Sequence, residues 1–305
     1  MMYKSVSHFS KQWHISERRI RVLCQSGRIP GAIKIGRNWS IPEDAIKPFD
    51  DRIKKEIFKG LERLFDVEDK LKNKIDTYRP LSKNILNQMR ENLIVEWTYN
   101  SNAIEGNTLT IYETKVVLEG ITVGGKSLKE HLEVINHKEA IGYLENLINN
   151  KIKLSEFEIK NIHNLILRNI DSENAGKYRN ENVIIAGAKH TPPNHIIVKE
   201  EMAKLMNSYH NEWDKYHPIV RASLLHGEFV KVHPFLDGNG RTARLLLNFE
   251  LMKYGYPPIV IKTINRLTYY ESLDYAHIKL DYTQFIELVS KLVIESENNL
   301  LKLIQ

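Results

Sequence analysis

Residues 240–252 limit the possible folds of this chain more than any other stretch. Leu245, Leu246, Leu247, Phe249, Leu251 and Met252 follow Gly240 with no breaker between them, a pattern that fits a helix buried among others. Asp237-Gly238-Asn239-Gly240 precedes it, so the helix is expected to begin near Gly240 with free N–H groups leaving its first turn. Arg241 and Arg244 stand in that turn, three residues apart and therefore on one face. Cations there oppose the helix dipole, costing roughly 0.3–1 kcal/mol each when exposed. A bound anion would reverse the penalty, and the simplest anion for N–H groups plus arginines is a polyphosphate.

The full run is His233-Pro234-Phe235-Leu236-Asp237-Gly238-Asn239-Gly240-Arg241-Thr242-Ala243-Arg244. A calcium loop would need an oxygen ligand where Arg241 stands, which argues against that reading. Pro234 biases His233 out of helical geometry, which places its imidazole just beyond a helix ending near Val232. Its imidazole can accept a proton at neutral pH and so activate a hydroxyl. Asp237 suits Mg²⁺, which takes one or two carboxylates plus phosphate oxygens. The glycines let backbone approach a phosphate closely. These residues resemble the Fic family, whose signature is His-x-Phe-x-Asp/Glu-Gly-Asn-Gly-Arg-x-x-Arg, and every defined position matches.

The resemblance implies transfer of AMP from ATP to a side-chain hydroxyl (Ser, Thr or Tyr) of a target protein, with release of pyrophosphate. By motif position it makes His233 the base and Asp237 the Mg²⁺ ligand. Gly238, Asn239, Gly240 and Arg241 become phosphate binders, Arg244 the partner of the γ-phosphate, and Phe235 a core anchor. A second motif lies upstream, Ser101-Asn102-Ala103-Ile104-Glu105-Gly106. Ser101 and Glu105 are i, i+4 on one helical face, and Gly106 is a natural residue to end that helix. A carboxylate in a last turn faces the negative end of the dipole unless a cation waits nearby. The segment resembles the family's inhibitory motif, Ser/Thr-x-x-x-Glu-Gly/Asn, whose Glu pairs with the second motif arginine, here Arg244. The resemblance further implies a target-docking β-hairpin flap at Val183, Ile184, Ile185 and Gly187. It also implies a nucleoside pocket containing Tyr270 and His277, for both of which plain helix packing is the alternative. Lys189 and His190 read as solvated, and His163, His195 and His226 as structural.

Around this core the chain reads as mainly α. Capping-box spacing marks helix starts at Thr110/Glu113, Ser127/Glu130 and Ser155/Glu158. Further helices are expected over 199–213, 218–231, 240–254, 266–278 and 282–304. The one clear interruption is 181–198, where Val183-Ile184-Ile185 and Ile196-Ile197-Val198 bracket Gly187, Pro192 and Pro193 and suggest the hairpin. Residues 51–78 carry an apolar stripe at Ile53, Ile57, Leu61, Leu64, Leu71 and Ile75. That helix is a spacer, a homodimerisation helix or a helix packed on the next domain; the last is the expectation.

Charge is unevenly placed. The net charge is +6, and residues 1–50 alone hold nine Lys/Arg against four acids. Within 3–48, helices over 6–13 and 17–26 followed by a hairpin (32–35 and 39–41) form the winged-helix order, and the segment resembles MerR- or excisionase-type DNA-binding modules. Arg18, Arg19, Arg21 and Arg37 are the expected DNA contacts. No apolar run approaches the roughly 20 residues a membrane span needs. The lone Cys24, with no signal-peptide pattern, leads to the expectation of a reducing cytoplasm and a buried thiol.

The expected organisation is a winged helix-turn-helix module over 1–49, a connecting helix over 50–80 and an all-helical Fic domain over 81–305. Within the last, the inhibitory helix spans about 84–106 and the catalytic core about 110–280. The expected function is a Glu105-inhibited protein adenylyltransferase that can also remove AMP. The alternative is a DNA-binding transcriptional regulator whose Fic domain senses nucleotide.

Overall fold

A computed structural model describes residues 2–13, 15–48, 65–81 and 83–305. Contacts divide the chain into two compact units, Met1–Glu56 and Ile57–Gln305. Residues 51–64 of the helix expected over 51–78 lie outside the described residues.

In the first unit, β1 (Tyr3–Ser5) leads into α1 (Val6–Trp13) and α2 (Glu17–Gln25), followed by β2 (Ile33–Ile35) and β3 (Asn38–Pro42). The Ser16 side chain caps α2 by accepting the Arg19 N–H. The strands form one antiparallel sheet in the order β1-β3-β2, with Tyr3 opposite Pro42 and Ile35 opposite Asn38. The hairpin is present with a tighter turn than expected, the two residues Gly36-Arg37. Strand β1 is additional: three residues are too short to show an alternating pattern, and pairing with β3 is what makes them a strand. Phe9, Trp13, Ile20, Leu23, Cys24 and Ile41 form the buried core of this unit. Burial pushes the Cys24 thiol up, so it stays protonated.

The second unit is helical: α3 (Asp66–Asp76), α4 (Lys83–Ile104), α5 (Ile111–Leu118), α6 (Leu128–Asn149), α7 (Glu156–Leu167), α8 (Val198–Asn207), α9 (Pro218–Val232), α10 (Asn239–Lys253), α11 (Arg266–Lys279) and α12 (Thr283–Ile304). Helices α9 and α10 pack against each other at the centre; α6 and α7 cover α10, while α11 and α12 cover α9. Leu245, Leu246, Leu247, Phe249 and Leu251 are all buried, as a helix enclosed on every side requires. Reciprocal capping boxes start α5 (Thr110/Glu113) and α6 (Ser127/Glu130). At α7 the Ser155 side chain caps Glu158, but the Glu158 carboxylate instead accepts the Tyr143 hydroxyl. Among the described residues no helix is long and apolar enough to cross a membrane.

The hairpin expected over 181–198 is not formed. Residues 181–194 form neither strand nor helix and turn at Ile185–Ala188, and 195–200 coil into a 3-10 turn and the start of α8. The β-branched residues favour extension, but no facing strand supplies ladder bonds. The segment is held by side chains instead, described below.

Candidate active site

Helix α9 ends at His233, whose N–H still reaches the Phe229 carbonyl at 3.0 Å. His233 lies just beyond the helix and out of helical geometry, as expected, but it is left-handed (φ 50°, ψ 60°), outside the extended region that a residue before proline ordinarily takes. The surroundings override the local bias: Arg179 Nε donates to the His233 carbonyl at 2.8 Å, and the Arg179 N–H to the Pro234 carbonyl at 2.9 Å. A non-glycine residue in this region costs about 1–3 kcal/mol and persists only where its neighbours hold it.

The turn that follows is clamped from within. Phe235 is fully buried and stacks on the His163 ring at 3.5 Å between centroids. The Asn239 side chain accepts the Phe235 N–H at 3.0 Å and donates to the Phe235 carbonyl at 2.8 Å, closing the loop on itself. His163 Nε2 donates to the Asp237 carbonyl at 2.8 Å, while its Nδ1 accepts the Gly176 N–H at 2.9 Å. That assignment requires a neutral ring, and burial pushes its pKa down to about 4. Gly238 takes a left-handed turn (φ 75°) directly against the His163 and Ile166 side chains, where a β-carbon would crowd both.

Helix α10 then begins at Asn239 with no side-chain cap. The N–H groups of Asn239, Gly240 and Arg241 have no acceptor within the helix, the arrangement of donors that suits an anion. The Asp237 carboxylate accepts the Gly238 N–H at 2.5 Å and lies 3.3 Å from Arg241. Burial would raise its pKa, but Arg241 and that N–H outweigh it and hold the group below the usual carboxylate range. Arg241 is itself buried, 3.3 Å from Glu133 on α6, so its guanidinium braces the loop between two carboxylates.

Glu105, just past the end of α4, reaches this turn. Arg244 donates from Nη2 to the Glu105 carboxylate at 2.7 Å and to the Ser101 carbonyl at 2.8 Å, and from Nε to Ser101 Oγ at 3.0 Å. The Glu105 carboxylate lies directly over Gly240, so that a β-carbon there would overlap it. Arg244 Nη1 is buried without a partner. Burial disfavours the Arg244 cation, yet Glu105, aided by Tyr269, outweighs it and raises its pKa.

His233, Glu105, Gly240, Arg244, Tyr270 and His277 line one cleft of about 740 Å³, bounded on one side by residues Ile184–Lys189. Burial keeps His233 neutral, with a pKa of about 4, and its Nδ1 is buried without a partner. Ile184, Ile185 and Gly187 line the cleft, whereas Val183 does not. Tyr270 is partly exposed, under the Arg266 guanidinium. His277 Nε2 is engaged by the Gly227 carbonyl at 2.9 Å, so that nitrogen is committed to packing. Lys189 and His190 are more than solvated: both backbone N–H groups bind Asp274, and His190 Nε2 meets the Lys231 carbonyl. His226 is structural, sharing a hydrogen bond with the Tyr269 hydroxyl. His163, Arg179, Glu133 and Asp274 were missed as site residues; their partners are mostly backbone groups, which leave no side-chain pattern in a sequence. Among the described residues, no group of three or more His, Cys, Asp or Glu is arranged to hold a metal.

On the first unit, Arg18, Arg21 and Arg37 are exposed, and Arg21 pairs with Glu17 at 2.6 Å. Arg18 and Arg19 line a shallow groove with Lys47.

A family model described as Fic/DOC matches residues 153–251, the stretch containing this loop. The protein adenylyltransferase Fic of Nematostella vectensis is 34% identical over 258 residues, covering 80% of this chain and 58% of that protein. Protein adenylyltransferase fic-1 of Caenorhabditis briggsae is 39% identical over 207 residues, covering 67% of this chain and 40% of that protein. The chain thus spans about half the length of these curated relatives. Among solved structures, a Fic domain containing signaling protein from Bacteroides thetaiotaomicron superposes with a TM-score of 0.74 at 30% identity, covering 78% of this chain and 97% of that one. Fic-1 of C. elegans gives 0.71 at 31% identity, covering 83% and 74%.

Proposed function

Because the chain belongs to the Fic/DOC family, we propose that it is a protein adenylyltransferase held back by its own Glu105. One observation carries this reading: the Glu105 carboxylate sits on Arg244 and over the open first turn of α10, where the N–H groups and the arginine would otherwise take phosphate.

In the proposed reaction the oxygen of a target Ser, Thr or Tyr hydroxyl attacks the α-phosphorus of ATP. The bond from that phosphorus to the bridging oxygen breaks, pyrophosphate leaves, and the hydroxyl proton passes to the His233 imidazole. A neutral histidine at physiological pH is the form this step requires, and burial supplies it. The N–H groups of Asn239, Gly240 and Arg241 offset charge on the phosphates, and Arg244, once released, meets the γ-phosphate. The Asn239 and Arg241 side chains act mainly by shaping the loop, given the bonds they already make.

Asp237 fits Mg²⁺ in the mode that uses few protein ligands: a single carboxylate, half-exposed and held below the usual carboxylate range, so charged at neutral pH. Bound there, the ion would neutralise phosphate charge. Removal of AMP from a modified target is the companion activity, with Glu105 orienting the water.

For the first unit we propose DNA binding by a winged helix, supported by its separate core, its exposed hairpin and its basic surface. The single buried Cys24 supports a cytoplasmic location.

The test of the reaction is His233→Ala. Loss of AMP transfer from labelled ATP with ATP binding nearly intact is the expected outcome, because the imidazole acts on the incoming hydroxyl. Undiminished transfer would remove the assigned mechanism.

A further inference from the structure

Arg179 is 4% exposed, and each arm of its guanidinium meets a backbone carbonyl. Nε donates to His233 at 2.8 Å, Nη1 to Glu181 at 2.9 Å and Nη2 to Pro193 at 2.5 Å. Among the described residues no carboxylate pairs with it, and burial disfavours its charge without a compensating anion. A buried cation satisfied only by carbonyl dipoles is an expensive way to fasten a loop. A neutral amide could tie two carbonyls at most, and a lysine ammonium gathers its three donors at one point; the planar fork of arginine reaches three separated carbonyls at once.

The three carbonyls explain the arrangement. Glu181 and Pro193 are the two ends of the segment that walls the cleft, and His233 is the base. Between those ends, the Asp274 carboxylate pins Lys189 and His190, leaving 183–188, with its turn at Ile185–Ala188, outside any strand or helix and Ile184 88% exposed. The Arg179 N–H adds a fourth bond to this side of the loop, on the Pro234 carbonyl. The left-handed backbone of His233 is thus held by the same side chain that closes the base of the cleft wall.

We propose that Arg179 is a positioning residue that couples the 181–193 segment to His233, so that a target chain lying on that segment sets the placement of the base through one guanidinium. The kinetic part of this inference rests on the adenylyltransferase reading; the coupling itself does not. The charge of Arg179 also works on the ring. After burial, it is the largest influence lowering the proton affinity of His233, while the Val230 backbone, Glu105 and Asp237 act in the opposite direction.

Two variants of the full chain separate the parts of the claim. Arg179→Lys keeps the charge and loses the fork; Arg179→Gln loses both. Hydrogen exchange at the 183–188 amides and NMR titration of the His233 ring need no catalytic activity. Both variants are expected to speed exchange at 183–188, and Arg179→Gln to raise the His233 pKa above that of Arg179→Lys. In a Glu105→Gly background, Arg179→Lys is expected to lower kcat about ten- to a hundredfold through misplacement of the base. KM for the target should rise, with ATP affinity unchanged. A purely structural arginine would lower thermal stability while leaving exchange, titration and the kcat of the folded protein as in the parent, and that result overturns the proposal. Absence of AMP transfer in the Glu105→Gly parent would instead count against the adenylyltransferase reading, with exchange and titration still deciding the coupling.

Discussion

Glu105 and Arg244, 139 residues apart in sequence, form a 2.7 Å ion pair in which the arginine is buried and the glutamate only partly so. The pair does two things at once. It neutralises a cation that burial alone would disfavour, and it sets a carboxylate over Gly240 at the open end of α10. Under the proposed function, the protein fills its own anion site with its own anion.

Gly240 offers a way to separate those two effects. A β-carbon there overlaps the Glu105 carboxylate, which is the far end of a flexible side chain and can swing away. Gly240→Ala is therefore expected to expel Glu105 from Arg244 but to obstruct phosphate at the same N–H groups. ATP affinity measured by calorimetry should fall relative to Glu105→Gly, and AMP transfer should stay low. Transfer equal to that of Glu105→Gly would mean that backbone approach at this turn is unimportant.

A second expectation concerns pH and stability. Glu297 on α12 is fully buried, neither of its carboxylate oxygens has a partner, and its pKa is raised from 4.5 to about 8. Burial is the main cause, aided by Glu68, Asp69 and Asp76 on α3 and opposed by Lys72. The folded state thus favours the protonated acid. Its contribution is fully present below the ordinary carboxylate pKa and is lost as pH rises toward 8, at up to about 1.4 kcal/mol per pH unit. Glu297→Gln should flatten that decline and raise the urea midpoint above wild type at about pH 8.5. A variant with the same pH slope as wild type would refute the assignment.

DNA binding by the first unit predicts a steep fall of duplex affinity with salt, since phosphate contacts release counterions. Arg37 stands in the hairpin turn and is exposed. Arg37→Ala in the full chain should weaken binding to every duplex alike and lower the salt slope by about one. Fluorescence anisotropy across a salt series measures both; binding indifferent to salt would point to a protein partner.

The sequence made the local features of this structure legible. Ser or Thr three residues before Glu marks α5 and α6 because both partners of a capping box lie within one turn. The loop at 233–240 and the i, i+4 pair Ser101/Glu105 are short-range patterns as well. Features decided at long range were not legible. Val183-Ile184-Ile185 has the composition of a strand, yet strand formation needs a facing partner, and none of the described residues provides one. The backbone of His233 follows Arg179 rather than the neighbouring proline. Arg179 and His163 bind carbonyls, which every residue possesses, so nothing in the partners' side chains announces them.

The most direct test of the account is the rate of AMP transfer before and after Glu105→Gly. The substitution leaves His233, Asp237 and the N–H groups of α10 in place, and frees Arg244 and the space over Gly240. Labelled ATP and mass spectrometry should show slow transfer by the wild-type protein. In the variant, transfer to a target or to the protein itself should be at least about tenfold faster, equivalent to about 1.4 kcal/mol, because ATP no longer has to displace Glu105 from Arg244. Equal rates in the two proteins would contradict the claim that Glu105 occupies the phosphate site.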